Sequence, residues 1–567
     1  MKKTILSLSL SLLCLGFSVK ASDVQPVSKD VPTHFIPAPN LDQIRVQDAE
    51  NDRKGKLYRV GVASFLNLST QNAGLWTTTA SGDKKWQLVI QNPGAQALSF
   101  IFNDFKLSPG SEFYVQTKEG KLISDVLTIN DQMEDFQQHI ALCTGDELVL
   151  TLIDKAYSDM SEFVLNRVIY NYRSSGMFGL EKINESESCE VNVNCTEGDN
   201  YQDEKRGVAR IYVVESAGAG YCSGSLINNL ANNCKPYFLT ALHCGPSPTT
   251  SVANMTLWKF YFNYEAPTCT NPTSTGTLAS HYVNGCVRIA DSNDNDGSNI
   301  SKSDFLLVQM GTLANETSTI NKLMGFNAYW NGWDANTTAV AGGVGIHHPS
   351  GDIKKISTYN GTPASTSWSG TPGTHWQISW SVTTNGHNGT EPGSSGSPIF
   401  KYNAGSSRII GTLSGGLSCC VSNGCGGGGS GPTQPDLYGK VSYHWTSDGS
   451  ANNQRLKPWL DPNNTGTMVQ DGSYNPCNFV GLNEIKKDEL AFKVYPNPVT
   501  DKLSVDLSTL AGKVTIEVYD MTGKLISSTS HTGGLTVDLE MSGMTKGMYQ
   551  IQVISNGTKA IQRVSKI

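Results

Sequence analysis

With 567 residues the chain is too long for one ordinary hydrophobic core, so several domains are expected, each with ample material to bury. Its net charge of −7 and the lack of a dense basic patch argue against nucleic acid as the main partner. No apolar run reaches the ~20 residues of a membrane-spanning helix, so no transmembrane segment is expected.

Lys2 and Lys3, the apolar stretch Ile5 to Phe17 and the small-residue end Val19-Lys20-Ala21 have the layout of a secretory signal, with cleavage expected after Ala21. From Ser22 to Lys182 come short runs such as Trp86-Gln87-Leu88-Val89-Ile90, Leu98-Ser99-Phe100-Ile101-Phe102, Glu147 to Leu152 and Phe163 to Tyr170. They are rich in β-branched and aromatic residues and separated by Pro-Gly or Gly-containing turns, which predicts an all-β domain. No catalytic cluster falls in it, so residues 22–182 are expected to be a pro-region that chaperones or masks the domain C-terminal to it. A permanent carbohydrate- or surface-binding module is the alternative.

Export makes the thirteen cysteines legible as disulfides. Cys14 leaves with the signal, Cys143 stands alone, and eleven lie between Cys189 and Cys477, so at least one of those is unpaired or paired outside the group. The sequence holds no two C-x-x-C pairs and no H-E-x-x-H, so neither a metal site nor a cofactor is expected.

Three stretches carry the chemistry. Tyr237-Phe238-Leu239-Thr240-Ala241-Leu242-His243-Cys244-Gly245 is a strand-like run ending in a histidine, and Ser303-Asp304-Phe305-Leu306-Leu307-Val308 opens another with a lone carboxylate. The third is Glu391-Pro392-Gly393-Ser394-Ser395-Gly396-Ser397-Pro398. A serine hydroxyl becomes a useful nucleophile only beside a base and with donors awaiting the oxyanion, and small neighbours let backbone N–H groups crowd the reacting carbonyl. The chain order His, Asp, Ser differs from the Asp, His, Ser and Ser, Asp, His orders of two other hydrolase designs. Three other features are set aside. Asp291 to Gly297 looks calcium-like, but no bidentate glutamate occupies the twelfth loop position, so a solvated loop is expected. The run Cys425 to Gly431 lacks the Gly-Lys-Ser/Thr of a phosphate loop and is read as a flexible connection. His347 and His348, adjacent on a strand, face opposite ways and are read as structural.

The segment from about Ser186 to Gly472 resembles the lysyl endopeptidase branch of the trypsin-like serine proteases. The matching stretches are Ser188-Cys189 with Val193-Asn194-Cys195, Cys222-Ser223-Gly224-Ser225-Leu226, His243-Cys244, Ser303-Asp304-Phe305, His347-His348-Pro349 and Gly393 to Pro398. The resemblance implies a double β-barrel over residues 183–478, all-β, with His243 and Asp304 on the first barrel and Ser395 on the second. It implies Ser395 as nucleophile, His243 as base, Asp304 as its orienting partner, and the N–H groups of Gly393 and Ser395 as the oxyanion hole. It also implies Cys222 paired with Cys244, Cys195 with Cys269, and Cys189 with Cys419 or Cys420. Two departures stand out: Ser394 replaces the aspartate that precedes the nucleophile in trypsin, and Ser414 stands where a histidine partner of the pocket tryptophan, Trp368, is expected.

Substrate choice is expected to lie with Asp436, in the strand facing Ser414-Gly415-Gly416, because Gly389 carries no charge where trypsin keeps its pocket aspartate. In the family this placement implies cleavage after lysine. Arginine or mixed specificity is the alternative, and a silent surface-binding protein on the same scaffold a more distant one. The same specificity predicts self-removal of the pro-region after Lys182.

Beyond Asp471-Gly472, residues 479–490 read as an exposed linker. Val494-Tyr495-Pro496-Asn497-Pro498, Val514 to Asp520, Gly523-Lys524-Leu525 and Gly547 to Val553 then resemble the C-terminal sorting domain of type IX secretion. A small β-sandwich is expected over residues 491–567, with a hairpin around Thr522-Gly523. Its implied partner is the secretion machinery, and its implied destination the medium or the cell surface beyond the outer membrane.

Overall fold

A computed structural model of the chain describes residues 26–567 except 54–55, 134–136, 174–184, 246–254, 273–279, 295–299, 313–314, 388, 404–405, 422–428, 478–491, 509, 511, 521–523 and 556–557. The signal segment, Lys182, the linker at 479–490 and the tip of the hairpin at Thr522-Gly523 therefore lie outside the described residues. The chain divides into two compact units, 1–478 and 479–567.

The architecture is all-β with few helices. At the N-terminal end of the first unit, five strands (Thr33–Phe35, Leu75–Thr78, Lys84–Gln91, Glu112–Gln116, Glu147–Asp154) form one sheet. Strands Tyr58–Ser69, Ala97–Lys106, Gln138–Thr144 and Glu162–Asn171 belong to a second. Their shared core holds Trp86, Leu88, Phe100, Leu150 and Leu165 around edge-to-face contacts of Phe113 with Phe102 and Phe163, centroids 5.3 and 5.2 Å apart.

This segment is not purely β, as the sequence led us to expect. Leu41–Arg53 is an α-helix, capped by the Asn40 side chain, which accepts the Gln43 N–H at 3.2 Å. Polar contacts seat it: buried Asp48 pairs with Arg59 (2.7 Å) and Arg173 (3.4 Å) and accepts the Tyr172 hydroxyl (2.6 Å). Hydrophobic periodicity, the usual signal of a helix, is weak where a buried carboxylate anchors it.

The N-terminal segment and the first barrel share a sheet. Tyr58–Ser69 runs antiparallel to Gly218–Leu226, pairing Val62 with Gly218, Gly61 with Ala219, Arg59 with Gly220 and Tyr58 with Tyr221. Gly218 permits this approach, since a Cβ there would lie 2.1 Å from the Gly61 carbonyl oxygen. The four N-terminal strands thus join seven strands of the first barrel: Val208–Glu215, Gly218–Leu226, Tyr237–Ala241, Lys259–Tyr261, Tyr282–Asn284, Cys286–Asp291 and Phe305–Met310. One core spans the seam, with Val60, Ile101 and Ile169 packed among Ile211, Phe238, Trp258 and Leu306. The Tyr212 hydroxyl donates to Asn171 Oδ1 across it (2.8 Å).

Ten strands make the second barrel's sheet, including Gly343–His347, Pro398–Lys401, Arg408–Gly416, Asp436–Lys440 and His375–Ile378. Its core holds Trp376, Trp380, Ile399, Leu413 and Tyr438. The second unit is a small sandwich of a three-stranded and a four-stranded sheet around Leu503, Val505, Ile516, Ile551 and Val553. Strands Lys513–Asp520 and Leu525–Thr532 are antiparallel neighbours there, as the expected hairpin requires.

Among the described residues four disulfides staple the first unit with both partners in view: Cys189–Cys420, Cys195–Cys269, Cys222–Cys244 and Cys234–Cys477. The first decides between the two partners expected for Cys189, and Cys419 is disulfide-bonded as well. Cys143 and Cys286 are buried free thiols.

Candidate active site

Strand pairing brings His243 and Asp304 together. Tyr237–Ala241 is antiparallel to Phe305–Met310 with Ala241 opposite Phe305, so the residues after the first strand meet the residue preceding the second. Asp304, at φ +57°, bends its carboxylate under the turn: Oδ1 accepts the His243 N–H (3.0 Å) and Oδ2 lies 2.8 Å from His243 Nδ1. A carboxylate bound to both the backbone and the ring of a histidine fixes the ring's orientation and leaves Nε2 as its working end. Nε2 is buried and carries no hydrogen bond within the described residues.

The turn at Asp304 is itself held by Asp294, whose Oδ2 accepts the Asp304 N–H (3.0 Å) while Oδ1 accepts the N–H groups of Ser301 (3.0 Å) and Lys302 (2.6 Å). Burial holds the Asp294 carboxyl above its usual range. The expectation of a merely solvated loop at Asp291 to Gly297 is thus corrected: Asp294 is buried because its carboxylate substitutes for a regular ladder at this bend.

Ser395 arrives from the second barrel. Its carbonyl accepts the Ser223 N–H (2.8 Å), next to Cys222, which is bonded to Cys244 beside His243. Gly396, at φ +80°, lies so close to the strand leading to His243 that a Cβ would sit 2.1 Å from Thr240 Oγ1. Within the loop the N–H groups of Ser394, Gly396 and Ser397 donate to carbonyls of Glu391, Leu413 and Ser394. Those of Gly393 and Ser395 have no acceptor among the described residues. Two free donors at alternate positions of a tight loop are the arrangement an oxyanion needs.

Three supports of this loop are not apparent in the sequence. The Glu391 carboxyl accepts the Ser350 hydroxyl (2.7 Å) and the Glu187 N–H (2.8 Å), and burial pushes it up to about 7. His347 Nδ1 lies 2.8 Å from the Ser394 hydroxyl and His347 Nε2 3.1 Å from that of Ser357. His348 Nδ1 bonds the Asp352 carbonyl (2.9 Å), so both histidines of the pair have protein partners.

A cavity of about 390 Å³ opens beside Ser395, lined by Trp368, Thr390, Ser414, Gly415, Gly416 and Ser418 among others. Asp436 pairs with Gly416 across the adjoining strands and is fully buried. Its Oδ2 accepts Trp380 Nε1 (2.6 Å) and the hydroxyls of Thr390 (2.8 Å) and Ser418 (2.6 Å), and its Oδ1 accepts the Ser418 N–H (3.1 Å). It lies one layer behind the wall made by Thr390, Gly416 and Ser418, and burial raises its carboxyl above the usual range. No lysine or arginine pairs with it among the described residues. Ser414 does meet a histidine, but from two strands away, beyond Asp436–Lys440: His375 Nε2 lies 3.0 Å from its hydroxyl, with the ring centroid 6.5 Å from that of Trp368. Burial lowers His375 to about 4, so the ring is neutral.

Two barrels with a histidine–aspartate pair on one and a serine loop on the other define the trypsin-like serine protease fold. Within it, residues 183–439 match the lysyl endopeptidase C-terminal domain. Residues 493–566 are a secretion system C-terminal sorting domain, the address of type IX export to the outer membrane or beyond. A lysyl endopeptidase of Pseudomonas aeruginosa is 26% identical over 287 residues, 49% of this chain and 56% of the relative, so the match spans about half of that protein's length. Among solved structures, the thermostable serine protease AL20 from an extremophilic microorganism shares 13% identity over 44% of this chain and 97% of its own (TM-score 0.30). Protease Anisep from Arthrobacter nicotinovorans shares 17% over 41% and 90% (TM-score 0.28). No helix among the described residues is long and apolar enough to cross a membrane.

Proposed function

We propose that the chain is an exported serine endopeptidase hydrolysing peptide bonds on the carboxyl side of lysine. The observation that carries this reading is Asp304 gripping both the ring and the backbone of His243, with Nε2 left unbonded near the Ser395 loop. Ser395 Oγ attacks the scissile carbonyl as His243 Nε2 takes its proton, Asp304 stabilises the imidazolium, and the N–H groups of Gly393 and Ser395 receive the oxyanion. His243 then returns the proton to the leaving amine, and water, activated by the same nitrogen, releases the acyl group. Bonds of this kind tighten when substrate binds, which accounts for an open Nε2 in the free protein.

Lysine is favoured by Asp436, a buried carboxylate with neutral donors and no cationic partner among the described residues. A compact ammonium meets this charge through the Thr390 and Ser418 hydroxyls that line the cavity in front of it, whereas a planar guanidinium needs a wider fork. Residues 22–182 serve as the pro-region, cut after Lys182, and the sorting domain engages the secretion machinery. Covalent labelling by a fluorophosphonate in the wild-type protein, absent in Ser395→Ala, tests the reading; no labelling of folded wild type defeats it.

A further inference from the structure

Behind the turn that carries Asp304 lie a second buried histidine and carboxylate, His444 and Asp448, which the mechanism above does not use. His444 ends the short helix Val441–His444, which follows the second barrel's strand Asp436–Lys440, and Asp448 lies four residues further on. Both grip Ser303, the fully buried residue directly before Asp304. Asp448 Oδ1 accepts the Ser303 N–H (3.2 Å) and its Oδ2 accepts the Ser303 hydroxyl. That hydroxyl has given its proton to Asp448, so its oxygen accepts from His444 Nδ1, 2.7 Å away. The other ring nitrogen, Nε2, lies 3.1 Å from the Thr412 hydroxyl, on the strand Arg408–Gly416 that goes on to Ser414 in the cavity wall. Lys302 Nζ closes the bend by donating to the Asp448 carbonyl (2.6 Å).

Asp304 sits at φ +57°, in the left-handed region that a residue with a side chain keeps only where its surroundings over-determine it. Two bonds hold the turn from within the first barrel: Asp294 accepts the Asp304 N–H, and the Asp304 carbonyl accepts the Leu242 N–H (3.0 Å). The chain Asp448–Ser303–His444–Thr412 instead ties the turn to a strand of the second barrel, the barrel that delivers Ser395. We propose that Ser303, His444 and Asp448 are positioning residues of the catalytic site, keeping the Asp304 carboxylate aimed at His243 and the two barrels in catalytic register. The inference rests on the serine protease mechanism proposed above. None of the three lines the cavity beside Ser395, so they act through Asp304 and not on the substrate.

Steady-state kinetics across pH on active-site-titrated Ser303→Ala tests this. The substitution deletes one hydroxyl and leaves every titratable group around the turn in place: His243, Asp294 and Lys302 from the first barrel, His375, His444 and Asp448 from the second. We expect kcat to fall by about 5- to 10²-fold with KM little altered, the cost of a small misplacement at a reacting centre. The acidic limb of kcat/KM, which reports the ionisation of His243, should move to lower pH, because a displaced carboxylate stabilises the imidazolium less. His444→Asn sets an amide N–H where Nδ1 stands and should keep kcat close to wild type, whereas His444→Gln, whose amide reaches towards Thr412, should fall with Ser303→Ala. A role in packing alone would lower Tm without moving the acidic limb. An unmoved limb, a fall in kcat of less than about fivefold, or a His444→Gln as active as His444→Asn overturns the inference and leaves the proposed function standing. Should Ser303→Ala fail to fold, the two His444 variants decide by the same criteria. Loss of peptide hydrolysis in folded wild type fails both.

Discussion

His347 Nδ1 stands 2.8 Å from the hydroxyl of Ser394, the residue directly before Ser395. The same hydroxyl accepts the Glu391 N–H (3.2 Å), so the position where trypsin places an aspartate is satisfied from inside the fold. Burial lowers the His347 ring to about 3, making it a neutral brace that needs no incoming amine. Processed forms with one or two extra N-terminal residues are therefore expected to keep kcat/KM unchanged. His347→Ala should lower kcat by up to about 10²-fold through misplacement of the loop, with KM little altered. Steady-state kinetics on active-site-titrated enzyme separates these outcomes, and a dependence of kcat on the N-terminus would contradict the brace.

Ser395→Ala and His243→Ala are each expected to be secreted and folded, with activity lower by about 10⁴-fold or more, because such groups act as a unit. Combining them should cost little beyond either alone. Circular dichroism together with peptide hydrolysis checks this, and either single variant within tenfold of wild type removes that residue from its role.

How much of this was legible in the sequence depends on how local the signal is. His243, Asp304 and Ser395 stand in stretches whose small or apolar neighbours mark a strand end or a tight loop, and the β-rich segments carry their alternation openly. Thr390, Ser418 and Trp380, which hold Asp436, are far apart in the chain and converge only through strand register, so no spacing announces them. His375 reaches Ser414 across the intervening strand Asp436–Lys440, a replacement that no position-by-position comparison detects. The helix Leu41–Arg53 was hidden because Asp48, rather than an apolar stripe, anchors it.

Glu391 predicts a pH dependence. Burial raises its carboxyl from about 4.5 to about 7, so the folded protein binds a proton more tightly than the unfolded chain. The associated stability is fully present below the unfolded value and is lost as pH rises through 7, with a slope of at most about 1.4 kcal/mol per pH unit for one group. In a Ser395→Ala background, which prevents autolysis, Tm should fall between pH 5 and 8. Glu391→Gln should flatten that fall. An unchanged slope in Glu391→Gln would show that its carboxyl ionises without cost.

The selectivity prediction turns on Asp436, whose Oδ1 takes a single backbone N–H while Oδ2 takes three side-chain donors. The donors stabilise the carboxylate without neutralising it, so a substrate ammonium supplies the missing charge. Asp436→Asn keeps the volume and most of the hydrogen bonds but removes that charge. Leaving one member of a buried pair uncompensated costs roughly 3–5 kcal/mol. That converts to a loss of lysine preference on the order of a hundred- to several-thousand-fold. Asp436→Leu should go further, because Trp380 Nε1 would also be left buried without an acceptor, at a cost of about 1–3 kcal/mol in stability. Matched peptides differing only at the residue before the cut provide the measurement. Wild type should favour Lys over Arg and Arg over Leu in kcat/KM, and Asp436→Asn should lose most of the Lys advantage while retaining its rate on Leu. Equal values for Lys and Leu in wild type would take Asp436 out of the pocket, and a preference for Arg would keep it there but reverse the argument from guanidinium width.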